Sequence, residues 1–293
     1  MNKDTWQRLP KNEAHKLVLE HVQTVERLQF EDYDRFKKLA ALYDPNGNSG
    51  SEESTGFITE NVVASNVDTV QAAIATAEIR ARFMTDGGDW GQQRTARHLE
   101  WYAEGLTKLH DVDAKCSVAF GKGPGVRGTG IIYVDLNAAK DDIVVEHVLA
   151  DDMIADNREL RGGGRLRQIH RRCIVDRDDL IAQYPKHASE IENAYSTRSS
   201  LWAGYRPIGE NQIVVLYSWH LGVKRKCVTI DGCTLLDEKY EDEGFPFARM
   251  VWSERDESWF GISLAERIMG HQRVLNKSNW QIDRLVERNA VPT

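Results

Sequence analysis

The feature that most constrains this chain is a change of hydrophobic period, made twice. Up to about residue 119 apolar side chains recur every three or four positions. From about 128 to 252 they tend to alternate, and from 263 helical spacing returns and holds to Asn289. A pattern of period 3.6 does not suit a strand, and one of period two does not suit a helix. Helices grouped before and after a block of strands give an α+β fold rather than a parallel βαβ fold.

The terminal run is the most explicit of these signals. Ser263-Leu264-Ala265-Glu266 reads as a capping box, in which the serine hydroxyl takes the N3 amide and the glutamate returns to the serine amide. Pro292 stops the helix. About 27 residues at 1.5 Å each make a rod of roughly 40 Å. Its apolar stripe is thin: Leu264, Ile268, Leu275, Ile282 and Leu285, interrupted by His271, Gln272, Ser278 and Asn279. A monomer's core helix normally shows a wider apolar face. A long helix with a narrow, partly polar stripe suits packing against like helices in an oligomer. Arg267, Arg273, Lys277, Arg284 and Arg288 on the same helix are candidates for ion pairs between subunits or for facing a channel.

Upstream, residues 11–43 read as an amphipathic helix broken once, with Asn12 as cap and Leu17, Val18, Val22, Val25, Leu28, Phe36, Leu39, Ala40 and Tyr43 as its stripe. Residues 44–56 are a Gly/Ser/Asn-rich loop. Residues 60–84 read as a second helix carrying Val63, Val67, Val70, Ile74 and Ala77 on one face. Asp86-Gly87-Gly88-Asp89 breaks it, and Asp89 caps a third helix expected to reach about 119 through Leu99, Tyr102, Leu106 and Leu109. The strands expected are IIYVDL (131–136) beside DIVVEHVL (142–149), RLRQIHRRCIV (165–175), IVVLYSWHLG (213–222), KCVTIDGCTLLDEKY (226–240) and FPFARMVW (245–252). Asp231-Gly232 is a two-residue hairpin turn. Residues 176–195 form a helical excursion, capped by Asp176 and broken at Pro185.

Composition excludes several classes. With 41% hydrophobic and 28% charged residues, the 293-residue chain supports a packed core and is not a disordered polymer. No apolar run is long enough to span a bilayer, and the polar N-terminus has no signal-peptide core. The four cysteines, Cys116, Cys173, Cys227 and Cys233, make no CxxC pair and read as reduced thiols. A net charge of −7 disfavours binding by phosphate neutralisation but does not exclude a surface past which DNA slides without sticking.

The motifs that carry chemistry are weak. Gly123, Gly125 and Gly128 match GxGxxG, but a helix precedes and a strand follows, the reverse of a dinucleotide fold. A flexible helix-to-strand connection is the reading preferred. Asp44-Pro45-Asn46-Gly47-Asn48 begins like a calcium loop but has Ser49 and Thr55 where the turn glycine and bidentate glutamate belong. Asp151, Asp152 and Asp156, near His147 and His170, invite a metal, though acids at strand ends are usually solvated. No catalytic, metal or cofactor residue is therefore assigned. The cluster Arg165, Arg167, Arg171 and Arg172 reads as ion pairing to a neighbouring subunit rather than DNA contact. Trp252, Trp259 and Phe260 read as aromatics buried where sheet meets helix.

Several stretches, taken in order, resemble the portal (head-to-tail connector) proteins of tailed double-stranded DNA phages. NVVASNVDTVQAAIA (61–75) and TDGGDWGQQRTARHLEWYAEG (85–105) resemble early portal helices. Gly128-Thr129-Gly130 with IIYV, then IVVEHVLADDMIAD (143–156), resemble the start of the wing sheet. Residues 259–293 resemble the first stem helix, with Gln272 and Asn276 as its Q-x-x-x-N core. The resemblance covers most of residues 60–293 and implies a helical part of the wing (1–127), a β-rich wing (128–258) and a first stem helix (259–293). It further implies a dodecameric ring at one capsid vertex, a channel for DNA packaging and ejection, and terminase, capsid and tail adaptor partners. No enzymatic activity, cofactor or membrane is implied; the location is the virion, with assembly in the host cytoplasm. The chain stops where the clip is expected, so clip, second stem helix and crown look absent and the terminase-docking residues would lie beyond Thr293. The competing readings are a nucleotide- or metal-dependent enzyme using the 121–130 loop or the 147–156 acidic segment, and another virion scaffold or adaptor.

Overall fold

The first strand begins where the period changes, and the helices before it bury narrow stripes. A computed structural model describes residues 13–44, 60–77, 80–136, 142–194, 209 and 211–289. The expected cap Asn12, the body of the loop at 45–56 with its calcium-like positions, and Pro292 lie outside them. Helices α1 (Ala14–Leu28) and α2 (Phe30–Tyr43) are the expected broken pair, with Gln29 between them. Gln29 is buried, and both the nitrogen and the oxygen of its side-chain amide are bonded. Its Nε2 donates to the Ala155 carbonyl at 2.5 Å and its Oε1 accepts from the Tyr33 hydroxyl at 3.1 Å.

Helix α3 (Val62–Ala75) is capped by Asn61, whose side chain accepts from Ala64 N. It stops about two turns before the expected 84. Only Val63 and Val67 are fully buried, and past Ile74 the stripe has only Ala77 to offer. Helix α4 (Trp90–Leu109) carries the expected Asp89 cap but ends at His110, ten residues early. Asp111 turns left-handed at φ 49°, and the chain restarts as α5 (Val112–Ser117) and continues as a π-helix, Val118–Arg127. None of Leu99, Tyr102, Leu106 and Leu109 is fully buried, so α4 lacks the core face its spacing predicts.

The strands form two antiparallel sheets. One has three strands: β1 (Thr129–Leu136) lies between β2 (Ile143–Val148) and β8 (Phe247–Val251). The other has five, in the order β3 (Met153–Ala155), β4 (Gln168–Asp176), β5 (Gln212–His220), β6 (Arg225–Ile230) and β7 (Cys233–Lys239). The β6–β7 turn is Asp231-Gly232, where Gly232 takes φ +87°. Helices α6 (Arg177–Gln183) and α7 (Ala188–Asn193) are the expected excursion. Asp176 makes no side-chain cap bond there. The short β3 has no sequence signal of its own.

Period two explains the five-stranded sheet. Ile213 and Val215 of β5 pack with Leu180 and Ile191 of α6 and α7, together with Val228, Ile230 and Leu235. Leu216, one residue on, packs with Val18, Val22 and Val25 of α1, Ile154 and Cys227. Both faces are thus covered, which is why β5 is nearly all apolar.

The chain divides into two compact units. One contains residues 1–35, 151–246 and 255–259, with the five-stranded sheet; the other contains 36–150, 247–254 and 260–293, with the three-stranded sheet and the terminal helix α8 (Leu264–Asn289). In the second unit Leu39, Val63, Val67, Val126 and Ala265 form a core, and Phe36 meets Phe260 edge-on at 5.2 Å. The fold is α+β with two antiparallel sheets and a long terminal helix, as expected.

Candidate assembly surface

Helix α8 starts as the capping box requires: Ser263 Oγ accepts from Glu266 N at 2.9 Å. Just before it, Gly261 N donates to Thr129 Oγ1 and Ile262 N to the Ser253 carbonyl, which fixes the start of the helix on the small sheet. In the first turns Ala265 is fully buried, while Leu264, Ile268 and Met269 pack at the edge of the core.

Gln272 then departs from its expected role. Rather than interrupting a stripe that meets like helices, it is buried within its own unit. Its Oε1 accepts from Val62 N at 2.8 Å and from Val63 N at 3.4 Å. Its Nε2 donates to the Glu60 carbonyl at 2.8 Å and to Asn276 Oδ1 at 2.7 Å. One amide thereby serves amides that α3 leaves open at its N-terminus and ties α8 to the start of α3.

Beyond Gln272 the helix loses its cover. Leu275 is half-buried, but Ile282 is 55% exposed, Leu285 58% and Val286 60%. These three and Asn289 line one shallow patch. The sequence-predicted stripe therefore divides: Leu264 and Ile268 pack inside the chain, Leu275 sits at the boundary, and Ile282 and Leu285 face solvent. Arg273, Lys277, Arg284 and Arg288 are exposed and lie on one flank, as their spacing of four, seven and four requires. Arg284 lies over the Trp280 ring, 4.3 Å from its centre. Arg267 instead donates to Ser253 Oγ at 2.9 Å, inside its own unit.

A second unpartnered face belongs to α4. Trp90, Arg94, His98, Trp101, Tyr102 and Leu109 point outward, with Arg94 5.9 Å from the Trp90 ring centre and His98 stacked on Trp101.

The glycine segment is packed, not the flexible connection expected. Gly121, Gly123, Pro124, Gly125 and Val126 are buried in the π-helix. A Cβ on Gly123 would lie 2.6 Å from Gly130 Cα, and one on Gly125 would lie 2.9 Å from Val67 Cγ1. These glycines let the backbone pack against β1 and α3.

In the acidic segment, Asp156 accepts from Arg158 at N, Nε and Nη2. Burial pushes its carboxyl up, but the bonds to Arg158 outweigh that and hold it below the ordinary carboxylate range. Among the described residues, no three His, Cys, Asp or Glu side chains converge as metal ligands would. Arg172 of the basic cluster is buried and pairs with Glu26 of its own chain rather than with a neighbouring subunit.

One constellation joins His170 to residues the sequence did not connect with it. His21 Nδ1 lies 3.0 Å from His170 Nε2, and His170 Nδ1 lies 2.7 Å from Ser218 Oγ. A hydroxyl on an imidazole has the connectivity of nucleophile and base. Ser218 is 0% and His170 1% exposed, however, so no substrate reaches the oxygen and the chain of bonds is internal. No family model matches the sequence and no curated protein matches it, so function is argued from this geometry.

Proposed function

We propose that the chain is a structural subunit that assembles with copies of itself through the distal half of α8, as a phage portal subunit does. In that reading the copies close into a ring at one capsid vertex, double-stranded DNA passes through the centre, and terminase, capsid and tail adaptor proteins are the partners. The observation that carries it is the division of α8. The helix is anchored by a buried glutamine and then continues for about 24 Å with Ile282, Leu285 and Val286 uncovered.

Magnitudes limit what this patch does alone. Fully burying a Val, Leu or Ile side chain is worth about 1.5–3 kcal/mol, and these are already partly covered, so together they contribute roughly 3–5 kcal/mol. Association costs on the order of 4–15 kcal/mol before any surplus appears. A lone helix pair is therefore weak, whereas a subunit in a closed ring meets two neighbours and adds contacts from Trp280 and the arginines, residue types common at interface hot spots. The net charge of −7 suits a channel wall that does not hold phosphate.

Particle images of the protein across a micromolar concentration series test the reading. Closed rings of a fixed copy number are expected; a monomer at every concentration overturns it.

A further inference from the structure

Beneath α1, the register of β4 and β5 sets His170 opposite Ser218. Both side chains lie on the sheet face that α1 covers, beside the apolar layer of Val18, Val22, Val25, Ile154, Leu216 and Cys227. His21 reaches down from α1 to complete a chain of bonds. Gln168 Nε2 lies 3.2 Å from His21 Nε2, His21 Nδ1 lies 3.0 Å from His170 Nε2, and His170 Nδ1 lies 2.7 Å from Ser218 Oγ. The amide nitrogen only donates, so His21 Nε2 accepts, His21 Nδ1–H donates to His170 Nε2, and His170 Nδ1–H donates to the serine. Each bond holds one proton, and every step is satisfied with both rings neutral.

A further proton breaks that chain of bonds. On His170 it would occupy Nε2 and face the Nδ1–H of His21. On His21 it would occupy Nε2 and face the Gln168 amide, with the Asp156 carboxylate 3.9 Å away as its one compensation among the contacts described. We propose that the His21–His170 pair is an acid-released latch: it holds α1 on the five-stranded sheet while both rings are neutral, and it lets α1 go when they take up protons.

The groups around the pair set its polarity. From the turn after β3, Asp156 Oδ2 is 3.9 Å from His21 Nε2 and favours a cation there. Arg158, which is bonded to Asp156, opposes one. Glu159 accepts from Gln168 and orients its amide. On β5, His220 is a third buried imidazole, with its Nδ1 accepting from Val223 N. Farther along α1, Glu26 pairs with Arg172 of β4, a second anchor of the helix on the sheet. Burial lowers the affinity of His21, His170 and His220 for a proton, most strongly for His170.

The sign follows. These folded-state values lie below the ordinary histidine value of about 6.5, so the latch's stabilisation is present above that pH and is lost as pH falls below it. Release that takes up both protons raises the released fraction about 100-fold per pH unit, against about tenfold for one proton.

Peptide-resolved hydrogen exchange between pH 7.5 and 5, corrected for the intrinsic rate, tests this on the wild-type protein. Protection of residues 14–28 should fall by about 100-fold per unit below 6.5, ahead of the peptides of the five-stranded sheet. His21→Gln keeps an amide that can donate to His170 but takes up no proton, so its slope should fall towards tenfold. Protection of 14–28 that does not change with pH, or an unchanged slope in His21→Gln, overturns the latch. Ring resonances of the wild-type protein read the same claim without a variant. His21 and His170 should stay neutral below the ordinary histidine range and titrate together with loss of α1 protection. Rings that titrate near 6.5 with α1 still protected overturn it equally.

Discussion

The two halves of α8 share a helical apolar spacing and have opposite environments. From Leu264 to Gln272 the helix faces its own unit: Ala265 is fully buried, and the Gln272 amide is satisfied by the start of α3. From Arg273 to Asn289 the same kind of spacing leads to uncovered Ile282, Leu285 and Val286. Periodicity tells which residues share a face of a helix, but not whether that face is covered by the chain itself or by another molecule. In the proximal half the answer lies in residues some 210 positions away, such as Val62.

The largest test of this contrast is to place the same charge in each half. Ala265→Asp buries a carboxylate among Leu39, Val63 and Val67 and should cost about 3–5 kcal/mol or prevent folding. Ser278→Asp, on the exposed half, should leave the denaturant midpoint within about 0.5 kcal/mol of wild type. Equal losses would mean that the distal half is packed within the protomer after all.

Gln272→Ala comes next. It deprives Val62 N–H and the Glu60 carbonyl of their partner, for a loss of about 1–3 kcal/mol. Exchange should rise first in 62–65, the open end of α3. A loss spread evenly over α8, with α3 untouched, would remove the glutamine's role as a clamp between the two helices. The smallest effect is expected from Arg284→Ala. Its guanidinium lies over the exposed Trp280, a contact worth about 0.5–1 kcal/mol. It should quench or shift tryptophan fluorescence only slightly and leave protomer stability nearly unchanged.

Local chemistry made much of this legible. Asp89 and Ser263 cap helices through their nearest amides, Asp231-Gly232 turns β6 into β7, and short runs of β-branched and aromatic residues marked β1, β2, β5 and β8. The features that were missed depend on distance along the chain. The glycines at 121–125 read as loose because nothing local shows that β1 and α3 press against them. His21 and His170 stand 149 positions apart and meet only once α1 lies on the sheet. A partial signal was present: a histidine and a serine in strands otherwise rich in buried apolar residues. The candidate stripe on α8 was legible as a set, but its division at Gln272 was not, because an amide's partners are not written next to it.

Native mass spectrometry of the wild-type protein beside Ile282→Asp/Leu285→Asp asks most directly whether distal α8 is an intermolecular surface. A discrete multi-copy assembly is expected for wild type and a folded monomer for the variant, with protomer stability unchanged within about 0.5 kcal/mol. The same mass distribution for both proteins would contradict that role for distal α8.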